Sequence, residues 1–458
     1  MANHSYLFLA LLLFSSLFNR SIVFGANTDG YRVLSVQSLL LPAESCKSKE
    51  YKRPGLKIIH KHGPCSPITG QKATTLEIIQ RDESRVNWIQ SQLTDDSSRL
   101  NVQDITLPAH LGTSLRTSNY IVTVGFGTPK KEMTLEFDTG SDLTWIQCQP
   151  CAGSCYPQQQ PIFNPSDSSS YLNLSCSSTQ CSQLSLAAGC SSSTCIYFTA
   201  YGDGSNSTGF FANDTLSLTQ SDVFPSFLFG CGQQNTGLFG NTAGLLGLGQ
   251  GVLSLVSQTA SKMGRVFSYC LPPTSSSTGY LTLGPNAIPS GIEFTPLITN
   301  ASSPTFYFLN MTGMRVGGQA LPIPASTFAS PGTIIDSGTV ISRLPPSAYT
   351  ALRSAFRQGM SNYALLSPAS IFDTCYDFSG PGNITVPTIT LSFEGGVDVE
   401  VDFSGIIVPV NQTVGCLAFA GNANAGIWTI IGNRQQRTFD VVYDVAGGRV
   451  GFGPGGCS

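Results

Sequence analysis

Two short stretches carry residues that could do acid–base chemistry together. One is Asp138-Thr139-Gly140-Ser141. The other is Asp336-Ser337-Gly338-Thr339, about 200 residues further along the chain. Each places a hydroxyl on either side of a Gly, directly after an Asp. Two carboxylates held within hydrogen-bond reach cannot comfortably both ionise, so they share one proton. The ionised member can then take a proton from a water lying between them. The protonated member can polarise a carbonyl and later help protonate a departing amine. Such a pair titrates as a unit. This chemistry suits hydrolysis of a peptide bond without a metal or an organic cofactor. Gly140 and Gly338 let the chain turn tightly beside each carboxylate. Ser141 and Thr339 are placed to hydrogen-bond the outer carboxylate oxygens, and Thr139 and Ser337 to brace the two turns against each other.

Other hydrolytic sets are missing from the sequence. The four histidines are His4, His60, His62 and His110. All precede the region expected to form the core, so no Ser-His-Asp or Cys-His arrangement can be assembled there. There is no His-Glu-x-x-His run for a zinc protease.

The elements that must hold the two Asp residues are short strands. Met133, Leu135 and Phe137 alternate with Thr134 and Glu136, the period of a half-buried strand. Thr333-Ile334-Ile335 is a second apolar run that enters the other turn. Tyr120 to Gly127 alternates in the same way, and Val441 to Asp444 and Val450 to Phe452 read as closing strands. Pro345 to Met360, with Tyr349, Leu352, Phe356 and Met360 at helical spacing, predicts a surface helix. The chain has 458 residues, only 11% of them charged, and many short alternating segments. That composition predicts an all-β protein with room for two core-bearing lobes. The net charge of −3 gives no general reason to expect a nucleic-acid partner.

Two Asp-(Thr/Ser)-Gly-(Ser/Thr) turns, each behind an apolar strand, resemble the pepsin-like aspartic proteases. Those enzymes are bilobed, with one catalytic Asp per lobe. The resemblance covers about 118 to 458 and implies a catalytic pair of Asp138 and Asp336. It also implies a flap at Tyr201-Gly202-Asp203, closing over a protein or peptide substrate, with the Trp145 indole reaching Tyr201. Leu245-Leu246-Gly247 and Ile430-Ile431-Gly432 match strands that thread beside the two catalytic turns. Pepstatin-type inhibitors and a monomeric state are further expectations. A Cys-rich insert, Cys148 to Cys195, narrows the likeness to the plant nepenthesin type. Having no strong periodicity, it is expected to be held by disulfides in place of a core. From the resemblance come the pairs Cys148–Cys151, Cys155–Cys231, Cys176–Cys195, Cys181–Cys190, Cys270–Cys457 and Cys375–Cys416. The alternative function is a catalytically inactive relative that binds another protein, such as a glycanase inhibitor.

The expected organisation is a signal peptide (1–26), a propeptide (27–112), an N-terminal lobe (113–300) and a C-terminal lobe (301–458). Tyr6 to Phe14 is apolar but too short to span a bilayer, and Val23 to Ala26 offers small residues for cleavage. Fourteen cysteines, an even number, agree with secretion to the cell exterior. The vacuole and the chloroplast are the alternatives. Sequons stand at Asn173, Asn206, Asn213, Asn300, Asn310, Asn383 and Asn411. The tail carries no glycolipid-anchor signal.

Residues 27–112 hold eleven basic against nine acidic side chains, and 113–458 twelve against eighteen, or +2 against −6. A basic segment covering an acidic cleft would be a latency device, though the segment could equally serve targeting or folding. Its Lys or Arg side chains would pair with cleft carboxylates and depress their pKa values, a hold lost in acid. Thr74 to Leu93 predicts a helix with Ile79, Val86, Ile89 and Leu93 on one face and Arg81 and Arg85 on others. Cys46, His60, His62 and Cys65 could in principle build a zinc site, but their spacing fits no zinc pattern, and the two cysteines could pair instead. His60-Lys61-His62-Gly63-Pro64-Cys65 resembles a run shared by a plant subgroup labelled chloroplast-nucleoid and DNA-binding-like. One short basic run is thin support for a nucleic-acid role.

Overall fold

In a computed structural model the described residues are 30–40, 44–49, 51, 55–70, 72–91, 119–201, 205–237, 239–380 and 382–457. The expected signal peptide, the segment joining the helix to the first long strand, and Gly202 and Asp203 lie outside them. The protein is mostly β and bilobed.

The lobes share an antiparallel floor. Val266–Cys270 pairs on one side with Thr278–Leu283 and on the other with Asp440–Asp444. Asp440–Asp444 continues to Arg449–Gly453, which pairs with Glu293–Ile298. At the opposite edge Leu56–His60 is inserted between Thr278–Leu283 and Tyr120–Phe126. The N-terminal segment is therefore built into the floor by backbone hydrogen bonds. Aromatic rings fill the junction, with Phe267 stacked on Tyr443 at 4.5 Å.

In the first lobe Lys131–Asp138 runs antiparallel to Tyr120–Phe126 and parallel to Gly244–Gly247. The strand differs from the half-buried one predicted. Thr134 and Glu136 are as buried as Met133, Leu135 and Phe137. The second face is covered because Gln160 donates to the Thr134 hydroxyl at 2.6 Å and Lys61 pairs with Glu136 at 2.6 Å. In the second lobe Thr333–Ile335 lies parallel to Thr429–Ile431. Pro346–Gly359 is helical and buries Tyr349, Leu352 and Phe356.

Seven disulfides form among the described residues, and four of the six implied pairings are corrected. Cys270–Cys457 and Cys375–Cys416 are as implied. Cys148 bonds Cys231, because Trp145–Gln147 runs parallel to Val223–Thr236 and brings the two Cα atoms to 5.3 Å. Cys151 then bonds Cys155 within one loop. Cys181 bonds Cys195, both facing a small core with Trp145, Leu174, Leu184 and Tyr197. The more exposed Cys176 and Cys190 pair outside it. The insert thus docks on apolar side chains of the lobe as well as being stapled. Cys46 bonds Cys65, so neither is a thiolate ligand beside His60 and His62.

Candidate active site

Asp138 ends its strand and Asp336 follows the strand Thr333–Ile335. The parallel neighbours set both turns. Gly247 lies opposite Asp138. The Asp336 N–H donates to the Ile431 carbonyl at 3.0 Å. Each carboxylate then receives the same local bonds. Gly140 N–H reaches Asp138 Oδ1 at 3.0 Å and Ser141 Oγ reaches Oδ2 at 2.9 Å. Gly338 N–H reaches Asp336 Oδ1 at 3.1 Å and Thr339 Oγ1 reaches Oδ2 at 2.6 Å. The turns lock reciprocally. Thr139 N–H donates to Ser337 Oγ at 3.1 Å and Ser337 N–H to Thr139 Oγ1 at 2.8 Å.

Both glycines are required by close approach. A Cβ on Gly140 would meet Asp336 Oδ1 at 2.8 Å, and one on Gly338 would meet Asp138 Oδ1 at 2.5 Å. The two carboxylates are almost fully buried. Burial pushes the Asp336 carboxyl above its ordinary value, against the pull of a nearby guanidinium, and the charge of Asp138 pushes the same way.

That guanidinium belongs to Arg85, on the helix Thr75–Ser91. Its Nη2 lies 2.7 Å from Asp138 Oδ1 and 3.0 Å from Asp336 Oδ1. Its Nη1 lies 3.2 Å from Asp138 Oδ2 and its Nε 3.0 Å from Asp336 Oδ2. Burial works against its charge, but the two carboxylates more than compensate and raise its pKa further. A guanidinium so placed fills the space a water between the carboxylates would need. Placing Arg85 off the buried face is thus a misreading. Residues 79, 82, 85, 86 and 89 form one continuous arc at 100° per residue. The signal was there in Asp82 and Arg85, two opposite charges three apart within the apolar stripe.

The helix makes two further contacts along the cleft. Gln90 exchanges two bonds with the backbone of Trp428, both at 2.8 Å. Asp82, fully buried, takes N–H bonds from Val340 and Ile341 and pairs with Arg343. On the other wall, Trp145 Nε1 donates to Tyr201 Oη at 2.7 Å, with Phe239 edge-on to the indole. Asp142, also unforeseen, accepts from Thr305 Oγ1 at 2.7 Å and Gly251 N–H at 2.8 Å, joining the first turn to the second lobe. Of the sequons, Asn173, Asn383 and Asn411 are exposed, and Asn206, Asn213, Asn300 and Asn310 are half-buried.

Two family models match the chain, described as xylanase inhibitor N-terminal over residues 120–285 and xylanase inhibitor C-terminal over 306–454. An aspartyl protease family protein of Arabidopsis thaliana is 52% identical over 89% of this chain and 88% of its own length. The chain belongs to the plant pepsin-like aspartyl protease family. Its nepenthesin character also holds: aspartic proteinase nepenthesin-2 of Nepenthes gracilis is 38% identical over 85% of this chain and 88% of that protein. Among solved structures of the family's fold, basic 7S globulin from soybean superposes with a TM-score of 0.59 at 25% identity, covering 74% of this chain and 93% of that one.

Proposed function

We propose that the chain is the latent form of a secreted aspartic endopeptidase, in which Asp138 and Asp336 activate a water against a peptide carbonyl. The observation that carries this reading is the matched pair of buried carboxylates, each held by a Gly N–H and a hydroxyl and locked through Thr139 and Ser337. With Arg85 withdrawn, the two Asp residues share a proton. The ionised one takes a proton from the water, and the protonated one polarises the scissile carbonyl and then serves the leaving amine. Tyr201, braced by Trp145, closes over the substrate and limits water entry. The N-terminal segment is the propeptide, with Arg85 as its plug.

The test uses the full chain, brought to acid and then given a denatured protein with and without pepstatin. Wild type is expected to cleave and to be blocked. Asp138→Asn and Asp336→Asn are each expected to lose at least about a thousandfold in turnover with the fold retained, since neither variant can share a proton between two carboxyls. Pepstatin-sensitive cleavage surviving in either purified variant overturns the mechanism.

A further inference from the structure

We propose that the active cleft contains an anionic subsite, built from Arg343 and the backbone N–H groups of Val340 and Ile341, that selects substrates carrying an acidic side chain beside the scissile bond. This inference rests on the protease reading, because the subsite opens only when the helix Thr75–Ser91 leaves.

In the latent chain the subsite is filled by Asp82. Its Oδ1 accepts from Val340 N–H at 2.6 Å. Its Oδ2 accepts from Ile341 N–H at 3.1 Å and lies 3.2 Å from Arg343 Nη2. Two N–H donors and one guanidinium charge therefore converge on one carboxylate that has no exposure to solvent, the guanidinium as an ion pair rather than a hydrogen bond. Neither N–H has another partner among the described residues. The Arg343 side chain is 5% exposed and oriented by its Nη1, which donates to the Ile341 carbonyl at 3.2 Å. Asp82 is the only carboxylate paired with it among the described residues. The strand Ser342–Leu344, held by parallel pairing to Phe419–Gly421, fixes its backbone. These donors belong to the lobe and stay when the helix goes.

The position is that of a substrate side chain. Asp82 precedes Arg85 by three residues, and such pairs lie on one helix face about 5–6 Å apart. Arg85 touches both catalytic carboxylates, so the donors sit roughly one helical turn along the cleft from the reacting centre. Val340 follows Asp336 by four residues, on the same loop. Apolar walls flank the subsite. Ile79 packs beside it on Val340, Ile341, Phe372 and Ala418, while Val86 and Ile89 cover Phe306, Ile334, Trp428 and Ile430. Once the helix leaves, two backbone N–H groups and a guanidinium face the open cleft with no anion. A substrate Glu or Asp satisfies all three at once, and the planar guanidinium fits a carboxylate. A Gln or Asn of the same shape leaves the charge unmatched.

The experiment matures the full chain in acid and scans a peptide, replacing each position around the cut by Glu or by Gln in turn. Assays at about pH 5.5 keep Glu ionised. One position is expected to show at least tenfold higher kcat/KM for Glu than for Gln. Arg343→Gln is expected to bring that ratio to about one, and Arg343→Lys to keep part of it, because Lys retains charge but not the fork. No preference for Glu at any position overturns the subsite on wild type alone, whatever the variants do. An unchanged ratio in Arg343→Gln overturns the role of Arg343. If wild type cleaves nothing, the same peptides are bound to a full-chain Asp82→Ala/Arg85→Ala variant and followed by anisotropy. Preferential binding of Glu peptides there sinks the protease reading and keeps the subsite. Equal cleavage of all peptides sinks the subsite and keeps the protease.

Discussion

At the scale of single residues, the proposed latency rests on Arg85. Four of its donor contacts reach the two carboxylates, and they are charge-assisted and forked. Arg85→Ala leaves the dyad buried beneath the helix with no countercharge. It is expected to raise pepstatin-sensitive hydrolysis of a small peptide by the unprocessed chain at least about tenfold, read near pH 5.5 before any N-terminal cleavage. Arg85→Lys is expected to fall between, as one ammonium cannot serve four oxygens. An Arg85→Ala chain as silent as wild type would mean that the helix, not the guanidinium, enforces latency. The two Asp turns were legible in the sequence because Asp-(Thr/Ser)-Gly-(Ser/Thr) occurs twice, each time behind an apolar strand. Arg85 was not. A lone Arg on a helix reads as solvated unless one knows that the helix lies over two acids, and that fact resides in the tertiary structure. Asp82 and Arg343 were hidden in the same way, since their pairing spans more than 250 residues.

At the scale of elements, the strand Leu56–His60 and the residue after it bind the N-terminal segment into the shared floor. Ile58 is fully buried, and Lys61, almost as buried, meets Glu136 on the strand that carries Asp138. The period of Lys131–Asp138 correctly indicated a strand but not its second buried face, because that face is covered by Lys61, 75 residues before Glu136, and by Gln160, well after the strand. Glu136 Oε2 has no hydrogen-bond partner among the described residues, so its carboxylate depends on Lys61. Lys61→Met strands that charge. The full chain is expected to lose about 3–5 kcal/mol in denaturant unfolding. Adding Glu136→Leu should recover much of the loss, since two apolar groups replace a buried pair at little cost. A Lys61→Met chain as stable as wild type would mean that water reaches Glu136. The disulfides repeat the lesson. The even count pointed to bridges, whereas the partners followed from which strands lie side by side, as Trp145–Gln147 and Val223–Thr236 do.

At the scale of the whole molecule, the proposed latency requires that the segment let go in acid. The expected trigger, cleft carboxylates with depressed pKa values, has the wrong sign at Asp336, whose carboxyl is raised chiefly by burial. Asp82 is raised too, again by burial first, against Arg343 and the N–H groups of Val340 and Ile341. A raised carboxyl binds its proton more readily in the docked state, so falling pH favours docking there. The histidines act the other way. His60 is lowered to about 3, by burial and then by Arg437, Arg434 and Lys61. His62 is lowered to about 2, by burial and then by Lys61, His60, Arg81 and Lys72. Their Nδ1 atoms accept from the N–H groups of His62 and Ala73, bonds that protonation at Nδ1 would break. A released histidine titrates near the ordinary value of about 6.5. Docking is therefore fully supported above that pH and weakens as pH falls towards the depressed values, by about 1–2 kcal/mol per pH unit for each histidine. The two histidines thus oppose the raised carboxyls, and they are the groups whose protonation favours release. His60→Gln/His62→Gln should stay latent at pH 7 and shift the midpoint of acid conversion down by at least about one pH unit. The check is the rate of conversion to the shorter chain between about pH 7 and 3, with the new N-terminus sequenced. A double variant that converts along the wild-type profile would remove the histidines from the trigger and leave acid release to the carboxylates after all.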